Sequence, residues 1–336
     1  MLNVALIGLG NMGRNHFENL IRFTNEGRFL RLVAVCDICS EAISDARISS
    51  IIGSGSVAFN RYSEMDEMFD NESIDMAVIA LPTYMHCETT LKCLKRGYHV
   101  FCEKPMALTV GECDLMIEMA KICGKRLMIG QNLRFRGECE ALKRIVNSQV
   151  LGRPVAGYFY RGGECRVWSN DDWFRKKEYG GGAICDRHVH EIDIIHYLFG
   201  MPRAVNTVAK VMTDGSGYDT VSTNYIYNEG YAVNSQVDWA LEGEPFTINF
   251  RVNFERGSVY LDDKGFRVCP RGGEPYTPEY SSENAYYTEI EYFAHIILQS
   301  SPNMVNPPED SRNTIKILAA EIRSADNFSA VTMVNM

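Results

Sequence analysis

The chain has no apolar run near the roughly 18 residues needed to cross a bilayer. It also has no block of five or more basic residues. Neither a membrane span nor a nucleic-acid footprint is therefore expected. Lys and Arg number 34 against 43 Asp and Glu, a formal charge of −9, and an acidic chain repels phosphate backbones. The opening run Met1–Gly8 is apolar but has no charged n-region and no cleavage site, so it does not read as a signal peptide. Internal repeats and low-complexity tracts are absent. Cysteine is not scarce, at 11 residues, yet Cys36 and Cys39 form the one C-x-x-C, and a single pair cannot make a four-ligand zinc site. An odd number of scattered cysteines reads as free thiols in a reducing compartment, most simply the cytoplasm.

What is present is ordinary globular material: 336 residues, 46% hydrophobic and 23% charged. This length suits about two domains, and such a chain buries roughly three quarters of its unfolded surface. As far as Gly130, short apolar runs (Leu2–Ile7, Leu32–Cys36, Met76–Ala80, His99–Phe101, Leu127–Ile129) alternate with 3.6-period segments near 13–23, 40–52, 85–96 and 109–122. That alternation predicts an α/β, doubly wound parallel sheet with helices on both faces. From about residue 154 the runs turn β-branched and aromatic: Val155–Arg161, Ala204–Thr213, Thr220–Tyr227, Tyr231–Trp239, Phe246–Phe254 and Ser258–Leu261. Turn signals at 214–217, 228–230, 242–245 and 255–257 predict an antiparallel sheet of hairpins. Helical patterns near 283–299 and 309–325 close the chain, and Cys269–Pro275 reads as its most flexible loop. The expected division is 1–125 and 126–336.

Gly8-Leu9-Gly10-Asn11-Met12-Gly13 follows the first strand and opens the first helix. The first glycine allows a tight turn, the second a close approach of backbone amides to a pyrophosphate, and the third close helix–strand packing. The second strand ends in Asp37, well beyond Gly13, where a carboxylate can accept from a ribose diol and would repel a 2′-phosphate. NAD is expected in preference to NADP. The rival reading of this segment is thiol chemistry at Cys36 and Cys39. The fifth strand ends in Glu103-Lys104-Pro105, at the edge of the sheet where ligands lie. Lys104 there can hold a reacting hydroxyl and stabilise its developing charge; the alternative is a surface lysine in a turn.

Gly180-Gly181-Gly182 precedes a largely apolar helix expected from Asp186 to about Phe199. At about 100° per residue, Asp186, His190 and Asp193 share one narrow polar stripe. A histidine beside carboxylates suits proton transfer near neutral pH; a satisfied structural ion pair is the alternative. The glycines would permit close approach to a nicotinamide. His188-Val189-His190 resembles an H-x-H metal motif, but on a helix the two rings diverge by roughly 200°, so no metal is expected.

Together these motifs resemble the glucose–fructose oxidoreductase/inositol dehydrogenase family, written Gfo/Idh/MocA, over nearly the whole chain. The resemblance is carried by Gly8 to His16, Asp37, Leu81–His86, Glu103-Lys104-Pro105, Gly130–Phe135, the triple glycine and Asp186-x-x-x-His190-x-x-Asp193. Val189–Asp193 with His196, and Val100–Pro105, look especially like the inositol 2-dehydrogenases. The resemblance implies an N-terminal Rossmann domain and a C-terminal α+β domain with a large, mostly antiparallel open sheet that commonly forms homodimer or homotetramer interfaces. It implies nicotinamide-dependent oxidation of a secondary alcohol on a cyclitol or sugar. Lys104 then matches the catalytic lysine, His190 the acid/base histidine and Asp186 the carboxylate of the set. Cofactor contacts fall on Gly8, Gly10, Asn11, Met12, Gly13, Asp37, Leu81, Pro82, His86, Glu103, Lys104 and Asn132. Arg134 and Trp173 are further candidates for the pocket wall, Trp173 equally for core. One departure is His188, where the family often has glycine; this side chain would narrow or polarise the pocket. Some relatives use a bound nicotinamide without net redox, as in glycoside cleavage, and some are non-catalytic nucleotide-binding regulators.

Overall fold

The structure is a computed structural model that describes residues 1–44, 48–50, 57–165, 173, 176–240, 243 and 245–334. Residues 45–47, 51 and 52 of the helical segment expected over 40–52 lie outside the described residues. Two compact units divide the chain. One comprises Met1–Asn132 and Asn284–Glu309, the other Leu133–Glu283 and Asp310–Met336.

The first unit is a parallel sheet of β1 (Leu2–Ile7), β2 (Leu30–Cys36), β3 (Asn60–Tyr62), β4 (Met76–Ile79), β5 (His99–Glu103) and β6 (Leu127–Gly130). The strand order is β3-β2-β1-β4-β5-β6. Parallel strands covered on both faces read as continuous apolar runs, and β4 is wholly buried. β3 escaped the sequence reading because it is a short edge strand with Asn60 and Arg61 exposed. The winding reverses between β1 and β4, and the register aligns the strand ends: Ile7 pairs with Cys36 and Ile79, Ile79 with Cys102, and Cys102 with Ile129. The carboxyl ends therefore present Gly8, Asp37, Ala80, Glu103 and Gly130 along one edge, where ligands of doubly wound sheets bind.

The division expected at 125–126 falls one strand short of this unit. β6 completes the sheet, and the helix Ala285–Leu298 returns to it from beyond the whole second sheet. That helix packs on the first helix, Asn11–Asn25, and on β5 and β6. Tyr287 stacks on Phe23 at 4.1 Å between ring centroids, and its hydroxyl donates to Glu26 at 2.8 Å.

The second unit is an eight-stranded sheet of β7 (Pro154–Gly162), β8 (Ala204–Lys210), β9 (Thr220–Ile226), β10 (Ala232–Asp238), β11 (Thr247–Phe254), β12 (Gly257–Asp262), β13 (Gly265–Pro270) and β14 (Thr332–Met333). Its order is β13-β12-β11-β7-β10-β9-β8-β14, and every pairing is antiparallel except β7 with β10. The sheet is mostly antiparallel as expected, and the one correction concerns the expected hairpin at 242–245. β7 lies between β10 and β11, so the 242–245 segment joins strands that are not neighbours. The turns at 214–217, 228–230 and 255–257 do close antiparallel pairs. The last strand expected from the sequence ends at Leu261. β13 continues the alternation with buried Phe266 and Val268, and takes in Cys269 and Pro270 of the segment expected as a loop. Helices Ala183–Asp186 and His188–Phe199 pack on β9, β10 and β7.

Candidate active site

Each glycine of the first turn has a distinct cause. Gly8 adopts φ +92°, and a Cβ there would stand 2.5 Å from the Ala80 carbonyl oxygen. A Cβ on Gly13 would collide with the Gly8 carbonyl. These two are fixed by packing. A Cβ on Gly10 would meet no protein atom within 4 Å, so nothing in the fold itself demands glycine there. Gly10 caps the first helix without a side-chain hydrogen bond, and the first turn holds no acidic residue. Asn11 is exposed and Met12 half-buried, leaving uncapped helix amides as an anion site. Asp37 is held beside this turn: Oδ2 accepts from the Leu9 amide at 2.6 Å and Oδ1 from the Cys39 amide at 2.8 Å. Each oxygen keeps lone-pair capacity for a hydroxyl. Burial, with the Asp37 charge beside it, pushes the Cys36 thiol up to about 12, the opposite of what thiolate chemistry requires. Asn132 is buried, and its Oδ1 has no hydrogen-bond partner among the described residues. An open glycine at a bare helix N-terminus, a poised carboxylate and an unsatisfied buried amide oxygen suit a dinucleotide.

Leu81 and Pro82 follow β4 half-buried. His86 is enclosed, with Nδ1 2.8 Å from the Pro105 carbonyl oxygen and Nε2 2.8 Å from that of Leu81. Burial lowers its pKa, with the two carbonyls acting in the opposite sense. Both ring nitrogens thus face protein carbonyls, and the ring braces the β4 turn against Pro105. Glu103 is buried; Oε1 lies 2.6 Å from His16 Nε2, and Oε2 accepts from the Lys104 amide at 3.0 Å. Lys104 itself is half-buried.

In the second unit the expected helix begins earlier and is broken. One turn, Ala183–Asp186, precedes Arg187, and the helix resumes over His188–Phe199. Arg187 donates to the carbonyls of Gly163, Glu164 and Asp238 at this break. Asp186 and His190 are both half-buried but sit on separate helical pieces, so their spacing does not follow from a single 100° wheel. The glycines before them are consumed by packing. A Cβ on Gly182 would stand 2.7 Å from Gly217 Cα, and one on Gly217 would collide with the Gly181 carbonyl.

The remaining polar residues of the helix form buried pairs. Asp193 takes a bidentate bond from Arg134 (Nε and Nη2, both 2.8 Å) and a third from Thr314 at 3.0 Å. Arg134 also reaches Asp310 at 2.7 Å and is fully enclosed. Burial opposes its charge, but the two carboxylates more than offset this. Arg134 is thus structural support for the helix. Glu191 pairs with Arg161 Nε at 2.8 and 3.0 Å; burial raises its pKa, and Arg161 opposes the rise. His188 is fully buried with Nε2 2.9 Å from Glu321. Its ring is spent on a buried pair within this unit. Trp173 is half-buried on a cluster of Ala183, Val237 and Trp239, the core alternative.

Sequence reasoning missed the buried acids Glu191, Glu321 and Glu289. A signal existed for two of them: Glu289 lies one turn before buried Phe293, and Glu321 follows buried Ile317 and Leu318. Both are acids inside an apolar stripe. Among the described residues, the group of three donors close enough to hold a metal is His16, Glu103 and Glu289, which includes neither histidine of the H-x-H motif.

The described cysteines form no disulfide, and no helix among the described residues is long and apolar enough to cross a membrane. The Gfo/Idh/MocA profile described as an oxidoreductase family with NAD-binding Rossmann fold matches residues 2–131, and a C-terminal domain of the same family matches 139–260. The 2,7-anhydro-N-acetylneuraminate hydratase of Mediterraneibacter gnavus is 26% identical over 76% of this chain and 61% of its own length. The myo-inositol 2-dehydrogenase of Thermotoga maritima is 27% identical over 64% of this chain and 58% of its own. The chain thus spans about six tenths of the length of these curated relatives. A levoglucosan dehydrogenase solved with NADH and levoglucosan has the same fold, with a TM-score of 0.84 at 21% identity over 100% of both chains. A Caulobacter crescentus aldose-aldose oxidoreductase solved with glycerol gives 0.84 at 23% identity over 99% of both. With both of its domains matched in order, the chain belongs to the Gfo/Idh/MocA oxidoreductase family and carries that family's NAD-binding Rossmann domain.

Proposed function

We propose that this protein is an NAD-dependent dehydrogenase that oxidises a secondary alcohol of a cyclitol or sugar, in the manner of a myo-inositol 2-dehydrogenase. The observation that carries the reading is the Glu103-Lys104-Pro105 turn, held at the carboxyl end of β5 in the same unit as the open glycine turn. Gly10 and the helix amides after it would take the pyrophosphate, and Asp37 the ribose diol; its charge disfavours a 2′-phosphate. Bound nicotinamide would accept the hydride. Lys104 holds the substrate oxygen and stabilises its partial charge, His190 takes the hydroxyl proton, and Asp186 orients or charges the set. Subunit association through the eight-stranded sheet, as dimer or tetramer, belongs to the same proposal.

The hydratase relative supports a second reading, an NAD-dependent enzyme without net redox. A panel of inositols and aldoses, each assayed with NAD and with NADP, separates the two. Net NADH formation with an alcohol supports the dehydrogenase. Product formation without net NADH rejects it.

A further inference from the structure

Behind the Lys104 turn, three titratable side chains meet inside the first unit. His16 comes from the first helix, Glu103 from β5 and Glu289 from the helix Ala285–Leu298. One ligand atom of each lies within 4.8 Å of the others, and all three residues are buried. The wall is apolar and tight. Phe101 packs edge-on to His16, as does Tyr286, and Gly130 leaves room where a Cβ would stand 3.3 Å from the Glu103 carboxyl. Glu103 spends one oxygen on His16 and the other on the Lys104 amide. Both oxygens of Glu289 are buried without a hydrogen-bond partner among the described residues.

A divalent ion does not fit this arrangement. Ligand bonds of about 2.0–2.2 Å at tetrahedral or octahedral angles hold donor atoms roughly 3 Å apart or more. His16 Nε2 and Glu103 Oε1 are 2.6 Å apart, a hydrogen-bond distance. The charge balance of the cluster must therefore be met by protons, and two carboxyls sharing one buried place do not both ionise. Both oxygens of Glu103 are engaged, one by the His16 ring and the other by the Lys104 amide; neither oxygen of Glu289 has such a partner among the described residues.

We propose that Glu289 is a neutral carboxylic acid at physiological pH, and a positioning residue: standing uncharged behind Glu103, it leaves that carboxylate turned to His16 and the Lys104 amide, and so fixes Lys104. Burial, with the Glu103 charge second, pushes its pKa well up, in the same sense. The titratable groups that bear on the cluster are His16, Glu103, Lys104, His86 and Tyr286. Ionising Glu289 would set a second negative charge against Glu103 and loosen the turn. The positioning role rests on the catalytic reading of Lys104; the protonation state does not.

Infrared difference spectroscopy in D2O at pH 7, on the full chain, tests the protonation state directly. The wild type should show the C=O band of a neutral carboxyl, and Glu289→Gln should lose it. Absence of the band in the wild type, or its survival in Glu289→Gln, overturns the inference, as would one equivalent of divalent metal in the wild type that Glu289→Gln lacks. On turnover, Glu289→Ala should lower kcat about tenfold with the Kd for NAD unchanged, and Glu289→Gln should restore it to within about twofold. A Glu289→Ala enzyme with unaltered kcat rejects the positioning role. An inactive wild type that keeps the band rejects the dehydrogenase reading and leaves the buried acid standing.

Discussion

The two units hold their candidate residues by different means. In the first, the site is backbone: a turn whose glycines are set by colliding carbonyls, the amides that open the first helix, and the Asp37 carboxylate caught by the backbone amides of Leu9 and Cys39. In the second, a helix carrying His190 is clamped by buried ion pairs at Asp193, Glu191 and His188, whose partners come from Arg134, Arg161 and Glu321. A backbone site is written in consecutive letters. A clamped helix depends on partners from distant parts of the sequence, as Arg161 before it and Glu321 near the end of the chain show.

The largest test cuts across both units. Lys104→Ala and His190→Ala should each lower turnover about 100- to 10,000-fold while NAD affinity, measured by fluorescence titration, stays within about twofold. Unchanged turnover in both variants removes the catalytic assignment. Next, Arg134→Met strands Asp193 in the interior of the second unit. Loss of one partner of a buried pair costs about 3–5 kcal/mol, read by urea denaturation. A loss below about 1 kcal/mol would mean that the clamp contributes little and would blunt the contrast between the units.

The glycine turn allows a sharper comparison within a single motif. Gly13→Ala should destabilise the fold by about 3 kcal/mol, because its Cβ meets the Gly8 carbonyl. Gly10→Ala should leave the Tm unchanged and weaken NAD binding about tenfold or more, since only a ligand needs that space. Equal effects of the two on stability would make Gly10 a folding residue.

The smallest effect is a pH slope. Burial first, then Lys125 and Arg126, depress the His99 pKa to about 4, and its Nδ1 accepts from the Arg126 amide at 3.0 Å. The unfolded chain takes a proton at this residue below its ordinary pKa of 6.5, and the folded chain does so only near 4. This contribution is therefore fully present above pH 6.5 and is lost progressively as pH falls towards 4. Urea midpoints across that window should fall with pH in the wild type and flatten in His99→Gln.

The sheet of the first unit and its glycine turn were legible because apolar runs and glycine spacing are local signals. β3 was not, because a short exposed edge has no hydrophobic pattern. In the second unit the hairpins at 214–217, 228–230 and 255–257 were legible from their turn residues, whereas the central place of β7 was not: no local signal marks β10 as its parallel partner, with two strands and two helices intervening among the described residues. The Asp186–His190 wheel assumed a continuous helix, and Arg187 interrupts it through carbonyls that no sequence window contains. Asp193, on one polar stripe with His190 in the sequence, takes a bidentate bond from Arg134, a long-range partner that no local spacing announces.

The return of residues 284–309 to the first sheet has a consequence for synthesis. At roughly 5–20 residues per second, the nascent chain emits β1 to β6 many seconds before the segment bearing Tyr287, Glu289 and Phe293 leaves the ribosome. Until then one flank of the dinucleotide unit stays open, with Phe23 lacking its stacking partner and the Lys104 turn lacking its buried acid. The nucleotide-binding half is thus begun first and finished nearly last. No single scissor cut separates the two halves, and a fragment ending near residue 132 would leave translation with a sticky, unfinished face.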